Sequence, residues 1–149
     1  MVNDLAVSVD PVTVANRLRP VLLQLNRQLR RETRSLGITG GQATLLHLIH
    51  RNPGIGVNEL AEREGMSAPA LSGYIDRLEA AGLATRARSG EDRRRVGLTL
   101  TPEGLRILRA VRRRRTAWLA AGLRELDADE LEAITSAVEP LTRLMEERS

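Results

Sequence analysis

Residues 57–100 have the sequence VNELAEREGMSAPALSGYIDRLEAAGLATRARSGEDRRRVGLTL, and this stretch decides the fold. Its first part predicts a short helix ended by Gly65, because glycine readily adopts the left-handed conformation of a tight turn. Ser67 is then placed to cap a second helix. That helix has one apolar stripe, formed by Leu71, Ile75 and Leu78. Two helices joined in this way are typical of a helix-turn-helix.

The second helix leaves a narrow outward face of small side chains and one cation. With the capping Ser67, the face consists of Ala68, Pro69, Ser72, Gly73 and Arg77. Such a helix fits the ~12 Å width of the DNA major groove, where small residues permit close approach and hydroxyl groups reach base edges. An ordinary amphipathic surface helix would show the same pattern. The helix alone therefore does not decide between DNA binding and a structural role.

The residues that follow predict a β-hairpin. Residues 83–88 and 93–100 have strand character, and Ser-Gly-Glu-Asp at 89–92 is typical of a turn. The hairpin carries the arginines Arg86, Arg88, Arg93, Arg94 and Arg95. Many charged runs are merely solvated, but a basic hairpin joined to a helix-turn-helix is suited to phosphates or a minor groove.

Three motifs carry a resemblance to a known family. They are Asp76-Arg77-Leu78-Glu79 with Gly82-Leu83, Asp92-Arg93-Arg94, and Leu100-Thr101-Pro102-Glu103-Gly104. In these motifs the chain resembles the MarR family of winged-helix transcription regulators, and the likeness extends over residues 12–145. The resemblance implies a homodimer that binds pseudo-palindromic promoter DNA. It also implies that residues 67–77 form the recognition helix, that Arg94 enters the minor groove, and that Asp92 orients Arg94.

The expected fold is mainly α with a small β-wing, in the order α-α-β-α-α-β-β-α-α. We expect a flexible arm over 1–10, supporting and dimerising helices over 11–52, a winged helix-turn-helix over 53–100, and dimerisation helices over 101–149. Asp10 and Pro11 are placed to cap and begin the first helix, whose apolar pattern extends over 12–36. Pro20 should kink that helix or delay the start of its regular part. Pro140 should bend or break the last helix.

The first and the last two helices carry apolar stripes that the winged unit can cover only in part. We expect a second copy of the chain to bury them, although a monomeric helical annex would also do so. The candidate dimerisation residues are Val14, Leu18, Leu119, Leu131, Ile134, Val138 and Leu141. Within the predicted fifth helix, residues 112–115 are four consecutive arginines that encircle the helix, so some should point to solvent or meet acids.

Composition restricts the remaining functions. The chain has 149 residues, a net charge of +4 and no cysteine, which excludes thiol redox sensing and cysteine-based zinc sites. His47 and His50 lack a third metal ligand nearby, so we predict no metal and no cofactor. No catalytic constellation is apparent, which argues against an enzyme. Without a signal peptide or a long apolar run, we expect a cytoplasmic protein with no membrane partner.

The predicted function is a sequence-specific, double-stranded DNA-binding regulator, a ligand-responsive homodimeric repressor. The resemblance implies a small lipophilic or aromatic effector in a cleft beside the dimer helices, and His47 and Trp118 are candidates for its wall. Core packing is the alternative role for Trp118. Tyr74 is expected to pack behind its helix or to offer its hydroxyl to a phosphate. A winged-helix protein–protein module and a non-specific nucleoid-type binder remain alternative functions.

Overall fold

The computed structural model describes residues 9–88 and 96–146. The helices are α1 (Pro11–Arg31), α2 (Gly40–Arg51), α3 (Val57–Arg63), α4 (Ala68–Ala80), α5 (Pro102–Leu123) and α6 (Ala128–Glu146). A 3₁₀ turn, Arg34–Leu36, links α1 to α2, and the strands β1 (Ala84–Arg88) and β2 (Val96–Leu100) lie between α4 and α5. The predicted class, mainly helical with a small β-wing, is confirmed.

The helix-turn-helix forms as the sequence predicts. Helix α3 ends at Arg63, one residue earlier than expected, and Gly65 turns the chain with a φ of +62°. The amide of Met66 then donates to the carbonyl of Ala61 at 2.9 Å, which closes the turn. Ser67 Oγ accepts from the amide of Ala70 at 3.3 Å and caps α4.

Strands β1 and β2 pair in an antiparallel hairpin whose register places Arg86 opposite Leu98. Ile55 forms an isolated bridge to Leu98, so the expected short strand beside the wing is present as a single pair. The turn before it approaches β2 so closely that a Cβ on Gly97 would lie 2.7 Å from the carbonyl oxygen of Gly54. The hairpin tip and the predicted first residues of β2, 89–95, lie outside the described residues.

The junction between β2 and α5 explains the Leu-Thr-Pro-Glu-Gly motif. Thr101 Oγ1 donates to the carbonyl of Gly82 at 2.6 Å and accepts from the amide of Gly104 at 2.9 Å. A Cβ on Gly104 would lie only 1.9 Å from the Leu83 carbonyl oxygen. A side chain there would push α5 away from the end of α4, so the motif fastens the wing to the helices on both sides of it.

Helix α1 is shorter than predicted. It ends at Arg31 instead of reaching residue 36, and a 3₁₀ turn follows. Thr33 is completely buried, and its hydroxyl lies 2.8 Å from the Arg30 carbonyl and 3.3 Å from the Ile38 carbonyl. Such side-chain bonds compete with the helical ladder, which accounts for the early end.

The two internal prolines do not break their helices. Helix α1 begins at Pro11, where Asp10 caps it by accepting from the amide of Thr13 at 3.2 Å, so the predicted cap and first residue are confirmed and the alternative of a later start is excluded. Helix α6 continues through Pro140, so of the predicted bend or break, the break is excluded. Both prolines lie on exposed faces, where water can satisfy the carbonyl group that loses its amide partner.

The core lies inside the winged unit and under the first half of α5. Its completely buried large residues are Leu46, Ile49, Leu60, Leu71, Ile75, Leu78 and Leu98, with Val111 2% exposed. Ile107, which the sequence analysis omitted, belongs to the buried face of α5. Helices α1 and α6 bury no residue within the described chain.

The consecutive arginines of α5 divide between solvent and α1 rather than meeting acids. Arg115 Nε donates to the Leu29 carbonyl at 3.1 Å, and Arg114 hydrogen-bonds to the Ser35 hydroxyl. Arg112 and Arg113 are exposed. The prediction that some of the four point to solvent is confirmed, while Arg114 and Arg115 bond a hydroxyl and a carbonyl oxygen near the end of α1.

Candidate DNA-binding surface

Helix α4 presents the outward face that the sequence predicts. Pro69, Gly73 and Arg77 are exposed, and no atom lies within 4 Å of where a Cβ on Gly73 would be. Ala68 is half-buried against the core, and Ser72 is half-buried beside β1. The exposed middle of the face is therefore narrow, with Arg77 as its cation.

Tyr74 does not pack behind the helix. Its side chain is 41% exposed, and the Arg77 guanidinium lies 5.5 Å from the centre of its ring. A cation over an aromatic face at this distance is weakly attracted to it, so the ring restrains Arg77 beside the exposed face. The predicted packing is wrong because Tyr74 lies at the edge of the stripe formed by Leu71, Ile75 and Leu78.

Arg86 joins the wing to α4. Its Nη1 lies 2.8 Å from Asp76 Oδ1 and also bonds the carboxylate of Glu79, while its Nη2 donates to Ser72 Oγ at 2.9 Å. The hydrogen bond to Asp76, with the nearby charge of Glu79, raises the pKa of Arg86 despite partial burial. Arg86 therefore links β1 to α4, and its charge is paired with acids of α4 instead of being free on the wing.

Of the remaining wing residues, the structure describes those up to residue 88 and those from residue 96. Arg88 is exposed at the end of β1 and faces the same way as Arg86. Asp92, Arg93 and Arg94 lie outside the described residues, so their roles in DNA binding stay predictions. Because Arg86 holds the base of the hairpin to α4, the hairpin leaves the helix-turn-helix from a fixed position.

The terminal helices present apolar side chains on their surface. Val14 on α1 is 43% exposed, and Leu131, Ile134 and Val138 on α6 are 42%, 44% and 58% exposed. Leu18, Leu119 and Leu141 are half-buried. These predicted dimerisation residues therefore remain largely uncovered by their own chain.

Comparison with known proteins decides the family. A family profile described as MarR family matches residues 36–95. The HTH-type transcriptional regulator YfiV of Bacillus subtilis is 30% identical over 115 residues, which cover 77% of this chain and 72% of YfiV. The chain belongs to the MarR family.

Two further relatives agree with this assignment. The HTH-type transcriptional repressor MdtR of Bacillus subtilis is 29% identical over 87 residues, covering 58% of this chain and 56% of MdtR. A transcriptional regulator from Thermotoga maritima has a crystal structure that superposes with a TM-score of 0.74 at 26% identity, covering 91% of this chain and 96% of that one. This MarR-family chain is thus a DNA-binding transcription regulator and not an enzyme.

The two candidate effector-wall residues of this MarR-family protein are not in one cavity. Trp118 lines a cavity of about 520 Å³ between α1 and α5, together with Val21, Gln24, Leu25 and Gln28. His47 is half-buried on α2 and does not line that cavity. Burial, followed by the charge of Arg112, lowers the pKa of His47 from the ordinary value of a histidine.

Neither a metal centre nor a membrane segment is found in the described parts of the chain. Residues 9–88 and 96–146 contain no group of three potential histidine, cysteine or carboxylate ligands arranged to hold a metal ion. None of the helices in those ranges is both long and apolar enough to cross a lipid bilayer.

One basic feature of this MarR-family chain was missed by the sequence analysis. Arg27, Arg30, Arg31 and Arg34 line a cavity of about 700 Å³ at the junction of α1 and α2. Their spacing of i, i+3, i+4 and i+7 places residues on one helical face, so the signal was present in the sequence. The apolar side chains of the same helix pointed only to dimer contacts.

Proposed function

We propose that this chain is a homodimeric repressor that binds a pseudo-palindromic operator and leaves it when a small lipophilic or aromatic effector binds. The observation that carries the proposal is the exposed face of α4 held by Arg86 at a fixed position beside the wing. Pro69 and Gly73 let the helix approach the floor of a major groove, and Arg77 adds a cation at its edge. The name of one relative, the transcriptional repressor MdtR, supports repression over activation.

Dimerisation is proposed from the uncovered faces of the terminal helices. The side chains of Ile134 and Val138 are about half exposed, although full burial of such a side chain stabilises a protein by about 1.5–3 kcal/mol. A second copy offers the same faces and would cover both sets through a two-fold interface. Such a dimer would hold two copies of α4 about one DNA turn, ~34 Å, apart.

These roles assign the proposed regions of the chain. Residues 53–100 bind DNA, and residues 11–52 and 101–149 support the winged unit and form the interface. Within the DNA-binding region the contacts are Ser67, Ala68, Pro69, Ser72, Gly73 and Arg77 on α4, with Arg93 and Arg94 on the wing. Asp92 supports Arg94.

The effector is proposed to bind where α1 and α5 diverge. The cavity beside Trp118 has an apolar aromatic wall and two glutamine side chains, Gln24 and Gln28, which suits a small aromatic molecule with a polar substituent. Since α1 and α5 belong to the proposed interface, a molecule wedged between them would change the separation of the two α4 helices. It would release DNA only if it binds more tightly to the conformation that does not fit the operator.

The test begins with the purified full chain. Genomic footprinting should recover two-fold symmetric sites, and sedimentation should give twice the chain mass both free and on a single site. Affinity for a recovered duplex should fall steeply as salt rises, because the protein displaces counterions from several phosphates. A monomer without duplex affinity at low salt contradicts the proposal and favours the protein–protein module. Screening aromatic acids for loss of the footprint then tests the effector.

A further inference from the structure

We call the hollow between α1 and α2 the arginine cavity, because four arginine side chains line it: Arg27, Arg30, Arg31 and Arg34. The other lining residues are Gly37, Ile38, Thr39 and Gly40, the last two being the cap and first residue of α2. All four arginines are exposed. The hollow therefore has guanidinium groups on one wall and the amino end of a helix on the other.

The four guanidinium groups are not paired with acids among the described residues. None of the four guanidinium groups forms an ion pair or hydrogen bond with another residue in 9–88 or 96–146. The first turn of α2 contains no acidic residue, and its first amides, on Gly40 and Gly41, have no acceptor within the helix. Like charges gathered in this way repel one another unless an anion lies between them.

Arg30 is held directly over the positive end of α2. A Cβ on Gly40 would lie 2.7 Å from Arg30 Nε, and one on Gly41 would lie 3.8 Å from Arg30 Nη2. The two glycines therefore leave the space that the guanidinium occupies. A cation at a helix amino terminus opposes the helix dipole, so this arrangement favours an oxyanion that both groups can bind.

The arginine cavity lies on the side of α4 that faces away from the wing. Ser72, which bonds Arg86 of β1, and Tyr74 are separated by about 200° around the α4 axis. Tyr74 lines a neighbouring cavity of about 200 Å³ with Arg30, Gly41 and Thr44, and the acidic residue Glu64 lines the same cavity without forming an ion pair to Arg30. Arg30 thus belongs to both hollows and connects the arginine cavity to the edge of the recognition helix.

We infer that the arginine cavity binds phosphates of the DNA backbone on the wall of the major groove opposite the wing. A helix in the major groove lies between two sugar-phosphate backbones, and the side of α4 next to the wing would contact one of them. The arginine cavity supplies guanidinium groups and free helix amides on the other side. This inference rests on the proposed function, because it requires α4 to enter the groove.

The test replaces two arginines of the cavity and compares them with two arginines elsewhere. Arg30→Gln with Arg34→Gln removes two positive charges from the cavity. The control, Arg109→Gln with Arg113→Gln, removes the same charge from exposed positions on α5 that form no described ion pair. Binding of the full chain to its footprinted duplex and to an unrelated duplex is measured by fluorescence anisotropy from about 50 to 200 mM salt.

Each phosphate contact contributes about 0.9 to the slope of log affinity against log salt concentration, so losing two contacts should lower that slope by about 1.8. The factor by which affinity falls between about 50 and 200 mM salt should then be about 12-fold smaller than in the wild type. Both duplexes should lose affinity by a similar factor, because phosphates carry no sequence information. The control should keep the wild-type slope, and equal slopes for the two double variants would overturn the inference.

A parallel measurement separates backbone phosphate from free phosphate. If tripolyphosphate raises the melting temperature of the wild type alone while both variants bind duplex like the wild type, the cavity serves a free anion and the inference is wrong. Failure of the wild-type chain to bind any duplex would instead reject the proposed function. Wild-type binding with an unaltered Arg30→Gln/Arg34→Gln variant rejects only the arginine cavity as a DNA contact.

Discussion

Arg86 Nη2 lies 2.9 Å from Ser72 Oγ, so a wing strand is hydrogen-bonded to the very face of α4 proposed to meet DNA. Asp76, one turn further along α4, and Glu79, two turns further, complete the site that holds the same guanidinium. Because Arg86 has a planar fork of donors, it can bond several partners on α4 at once, which an ammonium group could not do in the same geometry. Strand β1 of the wing is therefore bonded to the recognition helix through this one guanidinium.

Arg86→Met should lower both stability and DNA affinity. The free energy of unfolding should fall by about 1 kcal/mol, because partly exposed charged hydrogen bonds are lost. Duplex affinity should also fall, since the released carboxylates of Asp76 and Glu79 would face phosphates. Arg88→Met, at an exposed position on the same strand, should leave the unfolding midpoint unchanged in urea. Equal unfolding midpoints for the two variants would show that the contacts between Arg86 and α4 do not stabilise the fold.

Ser72→Ala should change operator preference more than overall affinity. The Ser72 hydroxyl accepts from Arg86 but keeps its own proton and a second lone pair, with which it can still contact a base edge. The Ser72→Ala variant should bind operators that differ at the base pair contacted by Ser72 with similar affinities, whereas the wild type should distinguish them. A uniform loss over the whole panel would indicate that Ser72 contacts only the backbone or acts through Arg86.

Arg94→Ala should weaken duplex binding by about 1–3 kcal/mol and leave the dimer intact. The loss follows from removing a guanidinium from the narrow minor groove, where the negative potential is strongest. Arg124→Ala, an exposed change after α5, is the control. Wild-type affinity in the Arg94 variant, measured by anisotropy, would contradict the wing assignment.

Ile134→Arg should separate the proposed dimer into monomers. Ile134 lies on the apolar face of α6, and a buried unpaired guanidinium there would be strongly unfavourable. Ser136→Arg, on the opposite face of the same helix, adds the same charge and should remain dimeric. Sedimentation equilibrium distinguishes the two, and a dimeric Ile134 variant would exclude α6 from the interface.

His47→Gln should reduce the sensitivity of the fold to acid. Burial lowers the pKa of His47 in the folded chain, so as pH falls below about 6.5 the unfolded chain takes up a proton before the folded chain does. Wild-type stability from this group is therefore present at pH 7.5 and is lost as the solution becomes acidic. His50→Gln serves as the exposed control. Urea unfolding at pH 7.5 and 5.5 should give a smaller pH difference for the His47 variant than for the control.

The sequence predicted correctly the residues whose role depends on neighbours in the chain. It predicted less well the residues whose role depends on partners far away in the sequence. The cap at Ser67, the turn at Gly65 and the stripe of α4 follow from local rules, and all three form as predicted. The end of α1 was misplaced because Thr33 is buried and bonds the Ile38 carbonyl, a contact that the helical pattern does not encode. Tyr74 is a different case, since its position at the edge of the α4 stripe leaves its ring 41% exposed beside Arg77.

The sequence by itself determined the order of the elements, the helix-turn-helix and the family likeness, because periodicity, capping and turn chemistry act between residues only a few positions apart. Only the tertiary structure decided what each arginine does. Arg86 is held by carboxylates on α4, Arg115 by a carbonyl of α1, and Arg30 lies over the first turn of α2. The physical reason is that electrostatic energy depends on distance in space, and a guanidinium at a given sequence position reaches different partners as the chain folds around it.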